Sequence, residues 1–463
     1  MAIPAQQIDK RAGDLEIIRG LEGLDVGDHW KPQLLTLPSE LLLEISRWAI
    51  TGGLSSAMTP LQLGRICRSW RELVFQCYDL WQSIDVFLYK SGVLTQISLL
   101  KEWIERTGDH PFSLSISAPR FRDSTIYERI IQILQNNSSQ ITTLKILMGR
   151  DFFDAFDETE TAHYSWPLLT DITLRADHQF TPGRGTVHFG GANAPRRLTS
   201  ATFGMFHIRK VSLAWASLLN LHLHAALARQ IYEAMSLAKR LQTLTLSGVW
   251  LDTFRITSIT TSHSLRRLAV LPKGERTFGW GCRDAFESLR LPALESLEID
   301  RGHVRSPGYR PTFALYSLIL RSQCSLVDLS IARTRVHESL FIETLILLPS
   351  LRSLRLIDNI WMDDDGRDYA LQDSAIFDAI THEIHNHQLI VPNLEKFTFK
   401  GDAVSFSPDV VMGFLVARWD AGSGESRLQS ASIQAEGPNW DIKEVNLATI
   451  EGWRERGYTV SIA

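Results

Sequence analysis

From residue 141 onward, apolar residues recur in one short pattern, Leu-x-x-Leu-x-Leu, with relatives of leucine allowed. Instances begin at Ile141, Leu169, Leu198, Leu218, Leu241, Leu265, Leu294, Leu326, Leu351, Leu394 and Leu428, 20 to 43 residues apart. The alternation within each copy predicts a short strand whose last two apolar residues face a core. Between several strands the spacing becomes helical. Residues 228–240 align Ile231, Met235 and Leu237 or Ala238, and residues 337–348 align Phe341, Leu345 and Leu348. Residues 407–419 open with Ser407-Pro408-Asp409, a helix start signal, and continue with Val411, Phe414, Leu415 and Trp419. Strand and helix alternating at a period of ~20–30 residues predict a solenoid, in which each unit buries its face only against its neighbours. Trp453 and the final YTVSI are expected to form a last helix and strand that cap the open core. Upstream, Leu94, Ile97, Leu100, Trp103 and Ile104 predict a helix, PFSLSIS a strand, and Ile126–Leu134 a second helix.

Residues 37–81 follow another pattern. Pro38 suits the first turn of a helix, where its missing N–H costs nothing. Leu41, Leu42, Ile45 and Trp48 then share one face until Thr51-Gly52-Gly53 stops the helix. Pro60 starts the next, expected to carry Leu63, Ile66, Cys67, Trp70, Leu73 and Val74 at spacings of three and four. Arg65, Arg68, Arg71 and Glu72 fall on its wetter side. The organisation expected is a polar leader over 1–33, a small helical domain over 34–90 and a repeat array over 91–463.

At 463 residues the chain exceeds one compact core. A net charge of −4 with both signs mixed favours neither nucleic acid nor an anionic membrane. Cysteines at 67, 77, 282 and 324 fit a reducing compartment, and without a Cys-x-x-Cys pair no thiolate zinc site is expected. The N-terminal MAIPAQQIDKRAGDLEI lacks the apolar core of a signal peptide, and no apolar run approaches ~18 residues. A cytoplasmic or nuclear location is expected, with no membrane or nucleic-acid partner and no cofactor.

Leu37, Pro38, Glu40, Leu41, Leu42, Glu44 and Ile45, with Leu63, Ile66, Cys67, Trp70, Leu73, Leu80 and Trp81, resemble an F-box. In LRSLRLIDNIW, Leu351, Leu354, Leu356, Asn359 and Trp361 match the leucine-rich-repeat consensus. Most other copies lack that asparagine, so their turns must satisfy backbone groups in other ways. With LPALESLEI, CSLVDLSI, VPNLEKFTF and RLQSASI, most of residues 34–463 is similar to the F-box and leucine-rich-repeat proteins expanded in mushroom-forming fungi. The spacer TGGLSSAM is several residues longer than in typical short F-boxes. The resemblance implies an α/β leucine-rich-repeat solenoid, a horseshoe, preceded by a helical F-box domain. It implies the substrate receptor of an SCF-type cullin–RING ubiquitin ligase, with a Skp-type adaptor and a protein substrate as partners and no catalysis of its own. The alternative is a leucine-rich-repeat scaffold not linked to ubiquitylation. By the same resemblance Leu37, Pro38, Glu40, Leu41, Ile45, Leu63, Ile66, Cys67 and Trp70 would contact the adaptor.

The residues beside the strand leucines form the exposed, concave row of such a solenoid. His222, His224, Thr245, Arg267, Glu298, Asp300, Asp328, Arg355, Lys396 and Lys400 are the expected substrate contacts: an acidic middle followed by a basic stretch. Signals for catalysis or metal are weak. In THEIHNHQ, His382 and His385 are three apart, not the four of a zincin helix. Asp363–Asp365 lack the calcium-loop spacing, and Gly183, Gly185, Gly190 and Gly191 form no phosphate-binding motif. His222 and His224 share a strand face and would hold a metal only with a third ligand.

Overall fold

The computed structural model describes residues 37–51, 60–118, 122–158, 165–176, 187–189, 195–205, 208, 211–249, 258–272, 286–300, 311–362, 368–369, 375–381, 383–384, 388–401, 404, 406–419, 428–436, 440 and 444–462. The expected leader, the long spacer, the acidic 363–365, the four glycines at 183–191 and His382, His385 and His387 lie outside them. The chain divides into two compact units. One takes residues up to Ile84 and Leu99–Phe112; the other takes Asp85–Ser98 and Ser113–Ala463.

The first unit contains α1 (Ser39–Thr51), α2 (Pro60–Leu63) and α3 (Arg68–Gln76). The helix expected from Pro60 through Val74 is broken in two. Turns at Gly64–Ile66 end α2, and Cys67 starts α3 in extended geometry, its Sγ accepting the Trp70 N–H at 3.5 Å. A Cβ on Gly64 would sit 3.2 Å from the Phe75 ring, so the two segments cross closely here. The core centres on Trp81, fully buried, with Nε1 donating to the Val74 carbonyl at 2.9 Å. Phe75 and Trp103 meet it edge-on at 5.5 and 5.4 Å. The Arg106 guanidinium lies 4.8 Å from its centroid.

The second unit is built on a 14-stranded sheet whose spatial order is its sequence order. The strands are β1 (Ser83–Phe87), β2 (Phe112–Ala118), β3 (Ile141–Met148), β4 (Asp171–Ala176), β5 (Ser200–Gly204), β6 (Asn220–His224) and β7 (Thr243–Ser247). They continue with β8 (Arg267–Leu271), β9 (Ser296–Asp300), β10 (Asp328–Ala332), β11 (Ser353–Ile357), β12 (Lys396–Gly401), β13 (Ser430–Ala435) and β14 (Thr459–Ile462). From β3 to β14 every pairing is parallel. Each of the eleven Leu-x-x-Leu-x-Leu copies is one of these strands. PFSLSIS and the terminal TVSI are two more, as expected. The fourteenth, β1, was not anticipated; Ile84, Val86 and Leu88 alternate there, directly after the helical segment.

Register explains the motif. In each copy all three apolar residues are buried: Leu241, Leu244 and Leu246 are no more than 1% exposed. Leu244 pairs with Leu268, which pairs with Leu297, so identical positions stack into continuous apolar ladders. Full burial of one such side chain is worth roughly 1.5–3 kcal/mol. Between strands run α4 (Val93–Thr107), α5 (Ser124–Asn137), α6 (Arg150–Glu158), α7 (Ala228–Leu237), α8 (Pro311–Ser322), α9 (Glu338–Ile346), α10 (Ala375–Thr381), α11 (Pro408–Trp419) and α12 (Glu444–Glu455). The α7 stripe buries Ile231, Met235 and Ala238, while Leu237 stays 40% exposed. Phe377 of α10 stands 5.1 to 5.9 Å from the rings of Phe397, Phe399, Phe406 and Phe414. Trp453 of α12 is fully buried, 4.9 Å from Trp419, at the helix–strand end expected from the sequence.

Strands leave the sheet by one recurring turn. Met205, Ala225, Gly248, Arg333 and Asp358 each follow a strand directly and hold φ between 48° and 70°. In every case their N–H donates to a carbonyl at the end of the next strand, the last residue in four of the five: Ala225 to Ser247 at 2.7 Å, Gly248 to Leu271 at 3.0 Å, Arg333 to Ile357 at 2.7 Å, and Asp358 to Lys400, next to last, at 2.8 Å. The left-handed residue thus extends the ladder by one bond while turning the chain away. Further along, Asn359 bridges two turns. Its Oδ1 accepts the Thr334 N–H at 3.0 Å, and its Nδ2 donates to the Ile331 carbonyl at 2.9 Å. On the other side, ahead of the strands, successive copies are joined by Ser217 Oγ to Leu198 O, Ser264 Oγ to Lys239 O, and Asn393 Nδ2 to Pro349 O.

Candidate binding surfaces

In the first unit, α1 buries Leu42, Ser46 and Ala49, one turn apart. Ser46 is tolerated there because its hydroxyl donates to the Leu42 carbonyl at 2.7 Å. The neighbouring stripe, at the same spacing, is apolar and open: Leu41, Ile45 and Trp48 are 51%, 41% and 59% exposed. Of the four residues expected to share one face, only Leu42 is buried; Leu41 and Ile45, both expected adaptor contacts, lie with Trp48 on the open stripe. Ile66, left in the turn between α2 and α3, is 57% exposed. A unit this small showing four large apolar side chains has surface suited to a partner.

The nine expected adaptor contacts separate by position. Pro38, Glu40, Leu41, Ile45 and Ile66 are exposed, and Leu37 and Cys67 are half-buried. Pro38 precedes α1 instead of lying in it, and its carbonyl accepts the N–H groups of Leu41 and Leu42. Leu63 and Trp70, at 2% and 6% exposure, are core residues and present no surface. Arg47 braces the exposed stripe from the side, bonding Asp79 at 2.9 Å and Glu44 at 3.3 Å.

In the second unit, side chains opposite the apolar ladders form the sheet's polar face, and all ten expected substrate contacts lie on it. Arg267, Asp328 and Lys396 share one row; Thr245, Glu298 and Arg355, with His222, share the next. His224, Asp300 and Lys400, each the fifth residue of its strand, occupy the third polar-face position. Arg267, Glu298, Asp328, Arg355 and Lys396 are exposed, and the other five are half-buried. Asp300 is engaged within the fold: Arg333 donates to both its carboxylate oxygens, Nε at 3.0 Å. Lys400 stands 4.0 Å from Asp358.

His222 and His224 bring their ring centroids within 3.9 Å, and His222 Nε2 shares a hydrogen bond with Ser247 Oγ at 2.7 Å. Burial first, then the positive charge of Arg175, lowers the His222 pKa below its ordinary value. Among the described residues, no group of three His, Cys, Asp or Glu stands close enough to hold a metal ion.

Nearer the start of the sheet, β1–β4 carry a cavity of about 380 Å³ on the polar face, lined by Asp85, Phe87, Ser115, Ser117, Lys145, Leu147, Thr173 and Arg175 among others. Sequence reasoning missed it. Its signal was there: Lys145 lies between the strand leucine Leu144 and Ile146, and Arg175 directly follows Leu174, equivalent to positions read as exposed in later copies.

No protein-family model matches the chain, and no curated protein matches it. Among the described residues, no helix is long and apolar enough to cross a membrane.

Proposed function

We propose that this chain is the substrate-recognition subunit of an SCF-type cullin–RING ubiquitin ligase. The first unit acts as an F-box that docks on a Skp-type adaptor. The second is a leucine-rich-repeat solenoid whose polar face holds a protein substrate. The chain performs no bond chemistry; it raises the effective concentration of substrate beside the ubiquitin-loaded enzyme. The observation that carries this reading is the open apolar stripe of Leu41, Ile45 and Trp48, with Ile66 exposed in the turn after α2. The repeated parallel strands, the left-handed turns and the Asn359 bridge support the repeat assignment.

Co-expression with a Skp-type adaptor tests it. The wild type is expected to copurify with the adaptor at one-to-one stoichiometry. Leu41→Asp with Ile45→Asp, on solvent-facing positions, is expected to abolish copurification while leaving the fold intact by circular dichroism. A wild type that neither copurifies with the adaptor nor gains solubility from it sinks the receptor reading. The polar face would then belong to a binding scaffold outside ubiquitylation.

A further inference from the structure

We infer that the cavity on β1–β4 is an oxyanion pocket, in which Lys145 and Arg175 bind a carboxylate or phosphoryl group carried by a protein segment. Two observations meet there. First, the pocket holds two cations and several hydroxyls in one hollow of about 380 Å³, beside an aromatic wall. Lys145 pairs in register with Thr173, and Arg175 is two residues further along that strand, so both charges rise from the same face of adjacent strands. Neither makes an ion pair with a described residue, so both guanidinium and ammonium donors remain for a ligand. The Ser115, Ser117 and Thr173 hydroxyls line the same hollow and are suited to the remaining oxygens.

Second, the fold makes room for Arg175. Its register partner on β5 is Gly204, and a Cβ there would lie 2.9 Å from Arg175 Cγ. Gly204 has no left-handed backbone to require glycine. Glycine inside a strand costs stability, and the space it leaves is occupied by the aliphatic stem of Arg175. The side chain is thereby laid across the strand. Asp85, also in the hollow, is placed to accept an N–H, which suits an anionic group on a peptide backbone better than a bare polyanion. Phe87, 48% exposed and 4.7 Å from Tyr89, offers that segment an apolar surface.

The inference rests on the proposed recognition role only in taking the ligand to be a protein segment. Its test therefore uses no adaptor, and loss of adaptor binding leaves it standing. The probes are N-acetyl-O-phosphoserine methylamide, N-acetylglutamate methylamide, N-acetylalanine with its free carboxylate, and neutral N-acetylserine methylamide. Binding to the full chain is read by saturation-transfer NMR at low salt. At least one anionic probe is expected to bind, and which one identifies the source as phosphorylated residue, acidic side chain or chain terminus. Lys145→Gln with Arg175→Gln should weaken it by about tenfold or more. Gly204→Val should weaken it through displacement of Arg175. Lys239→Gln with Arg240→Gln, exposed beyond the end of α7 and outside the hollow, should leave it unchanged. Anionic probes that bind no better than the neutral one, or equally well to the Lys145/Arg175 variant, overturn the inference.

Discussion

Asn359 joins two successive turns: its amide accepts the Thr334 N–H at 3.0 Å and donates to the Ile331 carbonyl at 2.9 Å. Two half-buried backbone groups depend on it. Asn359→Ala should cost about 1–3 kcal/mol, read as a lower urea midpoint with unchanged slope. Asn359→Asp keeps the acceptor and loses the donor, so it should fall between. Equal stability for all three would show that water serves these groups as well as the amide.

Gly248 is the one glycine among the five left-handed strand-end residues, with φ of 70°. Gly248→Ala should destabilise by about 1–2 kcal/mol from the left-handed penalty alone, without altering the spectrum of the native state. A gain in stability would mean that the unfolded chain's entropy, not this turn, dominates the position.

Arg418 is a buried cation held by carbonyls. Its Nε donates to Ile380 O at 3.1 Å and Nη2 to Ile390 O at 2.8 Å, at 3% exposure. Burial pushes its pKa down to about 10. Ile380 lies in the last turn of α10, where a cation is favoured. Arg418→Met should fill the space but strand these acceptors, at about 1–3 kcal/mol for each group left unsatisfied. Arg418→Lys should recover only part of it. Thermal unfolding of purified variants measures this, and a Met variant as stable as wild type would refute the role.

The lowered pKa of His222 fixes the sign of a pH effect. Above the unfolded value of 6.5 the ring is neutral in both states and costs nothing. As pH falls below 6.5, the unfolded chain takes up the proton first, so stability declines until the folded ring protonates as well. Arg175 opposes the charge of this ring, and His224 lies against it at 3.9 Å between centroids. His222→Gln should flatten the acid limb of stability measured between pH 7 and 5; an unchanged limb would assign it elsewhere.

The strands were legible because each copy carries its own period-two signal, and stacking in register leaves no freedom over which residues go inside. Helix faces were harder. On α1, periodicity puts Leu41, Leu42, Ile45 and Trp48 on one face, yet of these only Leu42 is inside, together with Ser46 and Ala49. The break between α2 and α3 turns on Gly64 and a cysteine cap, contacts that spacing does not encode. The ten polar-face residues were found by counting from the leucines. Lys145 and Arg175 obey the same count, but their significance lies in a hollow formed by four strands and in the space beside Gly204, which exist only once neighbours are in place.

The agreement between spatial and sequence order in the sheet bears on how the chain is made. Each strand docks on the one synthesised just before it. At about 5–20 residues per second, the 25 residues from Leu326 to Leu351 leave the ribosome within about one to five seconds. The edge awaiting them is by then already built. Growth can therefore follow translation, one repeat at a time, with no early strand left waiting for a distant partner. A parallel sheet, ordinarily slow to assemble from a complete chain, becomes here a structure laid down in the order in which it is read.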